Sequence, residues 1–205
     1  MDIENLKKNY KCLIFDCDGT LAHTMPAHCE AYKYAFKHYN IPFTKSDFYT
    51  YAPAGGKILL EELIINRGYN SKYVELIKEM KSEIVGDFLD KFMIPNNQLI
   101  NLIKDNTSNF KMCVVSNGRR KSILTILDKL NISQHFYEIL TAENYIASKP
   151  YPEPYVLAYK KIGVHPKECL VFEDNDVGRL SAKNAGLDVI MVDIINSKKI
   201  KLERG

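Results

Sequence analysis

The chain has no tryptophan and only ten glycines and eight prolines in 205 residues. Glycine and proline at that level, with no internal repeat, exclude a collagen-like or low-complexity chain. Cysteine is sparse: Cys12, Cys17, Cys29, Cys113 and Cys169 make no metal-binding or redox spacing. Three of them, Cys12, Cys113 and Cys169, fall in apolar runs and read as buried, reduced residues. No apolar stretch approaches the roughly 20 residues that a membrane span needs. The amino terminus, with Asp2, Glu4, Lys7 and Lys8, lacks the apolar core of a signal peptide. Strong charge is missing too, since the net value is +3. The one basic concentration, Lys198, Lys199, Lys201 and Arg204, has no interleaved aromatics to stack bases and reads as a solvated tail. The expectation is a cytoplasmic globular protein with no nucleic-acid or membrane partner, long enough for one core plus a small accessory domain.

What the chain does have is a series of short apolar runs, each ending in a polar cluster. Cys12 to Phe15 is apolar on both faces and β-prone, which suits a central parallel strand, and it ends in Asp16, Cys17, Asp18, Gly19 and Thr20. Ligands in open α/β sheets bind beyond the carboxyl ends of such strands. With Gly19 allowing a sharp turn, one carboxylate can attack an electrophile while the second reaches the leaving group. A calcium loop also starts Asp-x-Asp-Gly, but it follows a helix and needs Glu at its twelfth position, which here is Ala27.

Three further clusters follow. Ser116, with Asn117 and Gly118, comes directly after Met112 to Val115; a hydroxyl and backbone N–H groups at a helix start cradle phosphate or serve as an ordinary cap. Lys149 precedes Pro150, Pro152 and Pro154, so it sits on a stiff loop where an ammonium group would neutralise phosphate charge. Glu173, Asp174, Asn175 and Asp176 follow Leu170 to Phe172, and acidic residues packed at a strand end are most simply explained by a divalent cation, with Mg2+ suiting hard oxygen ligands. Asn175 or Asp176 reads instead as the cap of the next helix, with Asp176 the favoured one.

Strands and helices alternate from Met112 to Val192, which implies right-handed crossovers and a doubly wound sheet. Between the first cluster and Met112 the pattern is helical: Ala31 to Tyr39, Lys57 to Arg67, and Lys72 to Phe92, where Tyr73, Ile77, Met80, Ile84 and Phe88 form an amphipathic stripe. Pro95 then opens another helix.

Nucleophile, hydroxyl, lysine and acidic pair at four strand ends, in this order, resemble the haloacid dehalogenase superfamily of phosphohydrolases. The resemblance extends to the long insertion, and points to the helical-cap subfamily that holds β-phosphoglucomutase-like enzymes and sugar-phosphate phosphatases. It implies an α/β fold with a doubly wound, Rossmann-like core from residues 1–22 and 93–205 and an α-helical cap from 23–92. It also implies Mg2+ held by Asp16, the Asp18 carbonyl, Asp174 and Glu173, an aspartyl phosphate on Asp16, and acid–base work by Asp18. Ser116 and Lys149 would hold the phosphoryl oxygens. Substrate contacts are expected from Asn117, Arg119, His28, Lys57 and Lys81, and the substrate is expected to be a small phosphorylated metabolite. A phosphomutase is the alternative, and a non-catalytic binding protein would be expected to lack one of the four key residues. Many relatives have Asp at the cap entrance where this chain has His23. The protein is expected to be a monomer or weak dimer.

Overall fold

Short runs of Val, Ile, Leu, Phe and Cys that cannot hide an apolar stripe as helices bury both faces as strands, and these strands carry the fold. The computed structural model describes residues 3–52, 55–194 and 201–203. The strands are β1 (Cys12–Phe15), β2 (Ala22–His23), β3 (Ile94–Pro95), β4 (Lys111–Val115), β5 (Glu138–Leu140), β6 (Cys169–Glu173), β7 (Asp188–Met191) and β8 (Lys201–Glu203). The helices are α1 (Ile3–Asn9), α2 (Met25–His38), α3 (Lys45–Tyr51), α4 (Gly56–Leu60), α5 (Lys72–Phe92), α6 (Asn97–Asp105), α7 (Arg120–Lys129), α8 (Glu153–Ile162) and α9 (Asp176–Asn184). The chain divides into two compact units, Met1–His23 with Ile94–Gly205, and Thr24–Met93.

The first unit is a doubly wound α/β fold. Its sheet runs β5-β4-β1-β6-β7-β8, parallel except for β8, which pairs antiparallel with β7. From β1 the chain winds outward through β4 and β5, then returns to β6 on the other side and winds outward again. The crevice for a ligand therefore lies at the carboxyl end of β1. Side chains alternate across β1. Cys12 and Ile14 join Tyr155, Ala158, Ile162 and Ala182 in one buried cluster, and on the other face Phe15 stacks on Phe172 with centroids 4.8 Å apart.

Several expectations shift here. Pro95 does not open a helix: Ala22 and His23 pair antiparallel with Pro95 and Ile94, and Asn96 caps α6 by accepting the Leu99 N–H. Proline at a strand edge loses no ladder bond, so it fits there. That pairing also places His23 with the first unit and Met93 with the second, one residue from the expected boundary at each side. Of the basic tail, Lys198, Lys199 and Arg204 lie outside the described residues, while Lys201 falls in β8. Among the described residues no helix is long and apolar enough to cross a membrane.

The second unit is helical with its own core of Phe36, Phe48, Leu59, Leu63, Ile64 and Ile77. Thr44 and Asp47 make a reciprocal capping box at the start of α3, and Arg67 also binds Asp47. α2 begins at Met25, well before the expected Ala31, because Pro26 is tolerated in the first helical turn. The segment expected as one helix from Lys57 is α4 followed by a π-helical turn, Glu61–Ile65. In α5 the buried residues are Ile77, Val85 and Leu89, whereas Ile84 and Phe88 are half-buried.

Candidate active site

The parallel register sets the ends of three strands side by side. Phe15 pairs with Val114 and with Phe172, so the next residue, Asp16, emerges beside Val115 and Glu173. Its N–H donates to the Phe172 carbonyl at 3.0 Å, and the Ser116 N–H donates to Leu140 at 3.0 Å. Beyond Asp16 the chain turns sharply: the Cys17 carbonyl accepts from Thr20 and Leu21, and Gly19 takes a φ of +99°. A Cβ at Gly19 would lie 2.0 Å from Asp174 Oδ2, so only glycine lets the loop approach the acidic strand end. Gly178 plays the same part for Glu173, whose Oε1 lies 1.8 Å from where a Cβ would stand.

Lys149 is the centre of charge. Its ammonium lies 2.7 Å from Asp16 Oδ1, 2.6 Å from Glu173 Oε1 and 2.8 Å from the Val115 carbonyl. An ammonium has three donors, and these acceptors match all of them. The loop that carries it, entered through a cis Lys149–Pro150 bond, is clamped by Asn117: the Lys149 N–H donates to Asn117 Oδ1 at 3.1 Å, and Asn117 Nδ2 donates to the Lys149 carbonyl at 3.3 Å. Asn117 was expected to touch substrate, yet both ends of its amide hold Lys149. Tyr145, buried, donates its hydroxyl to the Ser116 carbonyl. The Ser116 hydroxyl accepts from the Gly118 N–H at 3.0 Å, which leaves its own hydrogen to donate.

Asp16, Glu173 and Asp174 each offer one carboxylate oxygen, all within 4.8 Å of one another. Three carboxylates around one ammonium leave uncompensated negative charge. Burial, then the Glu173 charge, pushes Asp174 up from 3.8 to about 7. Asp16 is raised for the same reason, burial first and the neighbouring carboxylates next, against the pull of Lys149. Burial alone would lower Lys149, but Asp16 and Glu173 outweigh it and raise it. Hard oxygen donors, mutual repulsion and a glycine-lined approach are what a divalent cation fits, and its charge would return both aspartates to the ionised form.

The remaining expected residues fall in known places. Asp18 is half-buried in the turn, bridging to Ala22. Arg119 is exposed at the N-cap of α7. Asn175, and not Asp176, caps α9 by accepting the Gly178 N–H at 3.0 Å, while Asp176 pairs with Arg179. In the second unit His28 is half-buried in the first turn of α2, Lys57 is exposed beside Glu61, and the Lys81 ammonium sits 5.4 Å from the centroid of the Tyr32 ring.

Sequence reasoning missed Tyr155, whose hydroxyl donates to Glu173 Oε1 at 2.6 Å. The signal was present, because Tyr155, Ala158 and Ile162 form the buried stripe of α8, and a phenol on such a stripe needs a buried partner.

Comparison with known proteins agrees with this geometry. The chain is 26% identical over 190 residues to the fructose-1-phosphate phosphatase YqaB of Escherichia coli, covering 92% of this chain and 99% of that one. It is 27% identical over 202 residues to the phosphorylated carbohydrates phosphatase of Thermotoga maritima, covering 95% and 91%. In fold it matches the crystal structure of CbbY from Rhodobacter sphaeroides in complex with phosphate, with a TM-score of 0.82 at 20% identity over 90% of this chain and 86% of that one. Residues 13–192, which run from within β1 to just beyond β7 and include every strand-end residue described above, match the model of the haloacid dehalogenase-like hydrolases, and the chain belongs to that family.

Proposed function

We propose that the protein is a Mg2+-dependent phosphatase of small phosphorylated metabolites, sugar phosphates foremost, working through an aspartyl phosphate on Asp16. The observation that carries this is the Asp16–Lys149–Glu173 chain at the carboxyl ends of β1 and β6, with Asp174 within reach of the same cation. Relatives named as phosphatases of fructose 1-phosphate and of phosphorylated carbohydrates support the substrate class.

Mg2+ would be held by Asp16, Asp174, the Asp18 carbonyl and Glu173, and when bound it supplies positive charge against the phosphate. Lys149 occupies Oδ1 of Asp16, so the other oxygen is the attacking one. As that oxygen bonds to phosphorus and the ester bond breaks, Asp18 gives its proton to the leaving oxygen. Oδ1 then becomes the uncharged carbonyl oxygen of an acyl phosphate, a weaker acceptor than a carboxylate, and the Lys149 donor it held becomes available to a phosphoryl oxygen. Ser116 donates its free hydrogen to another. Asp18 next takes a proton from water, which attacks phosphorus and releases inorganic phosphate and the Asp16 carboxylate. Positioning and charge neutralisation supply most of the rate.

Under this proposal the first unit handles phosphate and the second, with His28, Lys57 and Lys81, reads the alcohol. The free, buried state of all five cysteines suits a reducing cytoplasm. The test is a screen of phosphorylated metabolites with Mg2+, reading free phosphate and isomerised product together. Phosphate release that vanishes in EDTA and in Asp16→Asn is expected. Isomerised product with no net phosphate, dependent on a bisphosphate, would make the protein a phosphomutase; full turnover by Asp16→Asn would remove Asp16 from the chemistry.

A further inference from the structure

Tyr155 is fully buried on α8, and its hydroxyl and the Lys149 ammonium both donate to one oxygen, Oε1 of Glu173, each at 2.6 Å. Two donors fill the two lone-pair directions of that oxygen. Glu173 is itself fully buried, so no water competes for the place. The same Lys149 ammonium lies 5.0 Å from the centroid of the Tyr155 ring, so the phenol touches the lysine through its ring and reaches it again through Glu173.

We propose that Tyr155 is a positioning residue: its hydroxyl pins the Glu173 carboxylate, Glu173 pins Lys149, and Lys149 thereby keeps Oδ1 of Asp16 engaged and the other oxygen aimed at substrate. This rests on the phosphatase reading for its effect on turnover, while the placement of Lys149 is a property of the fold. Without the hydroxyl, a buried carboxylate oxygen loses a short hydrogen bond made to a charged acceptor, and Glu173 must turn or draw Lys149 away from Asp16. The effect passes through the nucleophile, so it is independent of the leaving group. It is also silent in KM, because Tyr155 touches no substrate.

Tyr155→Phe keeps the ring and removes only the oxygen. With p-nitrophenyl phosphate and with the best metabolite, kcat is expected to fall roughly tenfold for both, with KM within about twofold. In a Glu173→Gln background the same change is expected to add less than about a twofold loss, since residues acting in one chain are not additive. That pair of variants also leaves no orphaned carboxylate, and it decides the matter should the single variant fail to fold. Independently of activity, the Lys149 ammonium signal in a 15N-labelled protein, assigned with Lys149→Arg, is expected to shift and to exchange faster in Tyr155→Phe. An unmoved Lys149 signal overturns the proposal. So does an active Tyr155→Phe within twofold of the parent, or full additivity with Glu173→Gln. A parent protein that hydrolyses no phosphate ester removes the phosphatase reading instead, and the ammonium signal still decides whether Tyr155 places Lys149.

Discussion

Asp16 and Asp18 are two residues apart on one turn, yet their surroundings differ, and under the proposed mechanism that difference separates their tasks. Asp16 is buried against Lys149, which holds the carboxylate in one orientation, as the proposed nucleophile must be held. Asp18 is half-buried in the turn that the Cys17 carbonyl organises, where under the proposed mechanism its carboxyl exchanges protons with a leaving group or water. Under that mechanism Asp18→Asn keeps the backbone carbonyl and deletes only the proton transfer, and a loss of roughly 10²–10⁴-fold on a sugar phosphate is expected. p-Nitrophenyl phosphate, whose leaving group needs no proton, is expected to lose far less. Steady-state kinetics on both esters check this, and equal losses would take the acid role from Asp18. Asp174 gives the pH signature. Its raised value means that the native state binds the proton more tightly than the unfolded chain between its ordinary 3.8 and about 7. Stability attributable to it is therefore present at low pH and is lost as pH rises toward and through 7. In EDTA, Asp174→Asn, which mimics the protonated form, is expected to melt above the parent at pH 8, by a smaller margin at pH 5, and with it only below the ordinary value of 3.8. Added Mg2+ is expected to raise the Tm of the parent at pH 8 and to leave the variant nearly unmoved. Melting curves with the variant at or below the parent at pH 8 would contradict the repulsion described.

At the scale of elements, local signals matter at exposed helix starts, beside whatever the helix buries. The capping box at α3 is one such place, with the Thr44 hydroxyl accepting from the Asp47 N–H at 3.0 Å and the Asp47 carboxylate accepting from the Thr44 N–H at 2.8 Å. Thr44→Ala is expected to cost about 1 kcal/mol, read from urea unfolding. A change below a few tenths would show that Arg67 holds Asp47 without the cap. The strands were legible for a different reason: Cys12–Phe15, Met112–Val115 and Leu170–Phe172 are apolar throughout, and such runs between polar turns admit few other structures. The carboxylates, serine and lysine were legible because they stand directly after those runs or on a proline-stiffened loop. What was not legible depends on partners distant in sequence. Ile94 and Pro95 become a strand only because Ala22 and His23 lie alongside. Val85 and Leu89 take the buried side of α5 in place of Ile84 and Phe88, because both stripes are amphipathic and only the packing partner selects one. Asn117 read as a phosphate-cradle residue because it follows Ser116, and its clamp on Lys149 spans 32 residues of sequence.

Across the whole molecule, chemistry and apolar core are distributed unequally between the two units. Every residue of the charge network, Asp16, Lys149, Glu173 and Asp174, lies in the first unit, and the second has a separate aromatic and aliphatic core with none of them. A helical unit inserted between two strands of the first unit, with its own core, can vary its surface without disturbing the Asp16 network, and binding residues often reside on loops and insertions carried by a rigid scaffold. His28 and Lys81 are the candidates there: both are half-buried, and Lys81 is steadied over the Tyr32 ring. If the second unit reads the alcohol of the substrate, His28→Ala and Lys81→Ala are expected to lower kcat/KM for the best metabolite by about tenfold or more, the scale of a lost hydrogen bond to a charged group. p-Nitrophenyl phosphate, which offers that unit no sugar hydroxyls, is expected to change by less than about twofold. The contrast with Asp16→Asn is the point of the measurement, since loss of the proposed nucleophile is blind to the leaving alcohol and loss of a specificity contact is not. A proportional fall for both substrates would make the second unit structural support, and the choice of substrate would then lie with residues of the first unit such as Arg119.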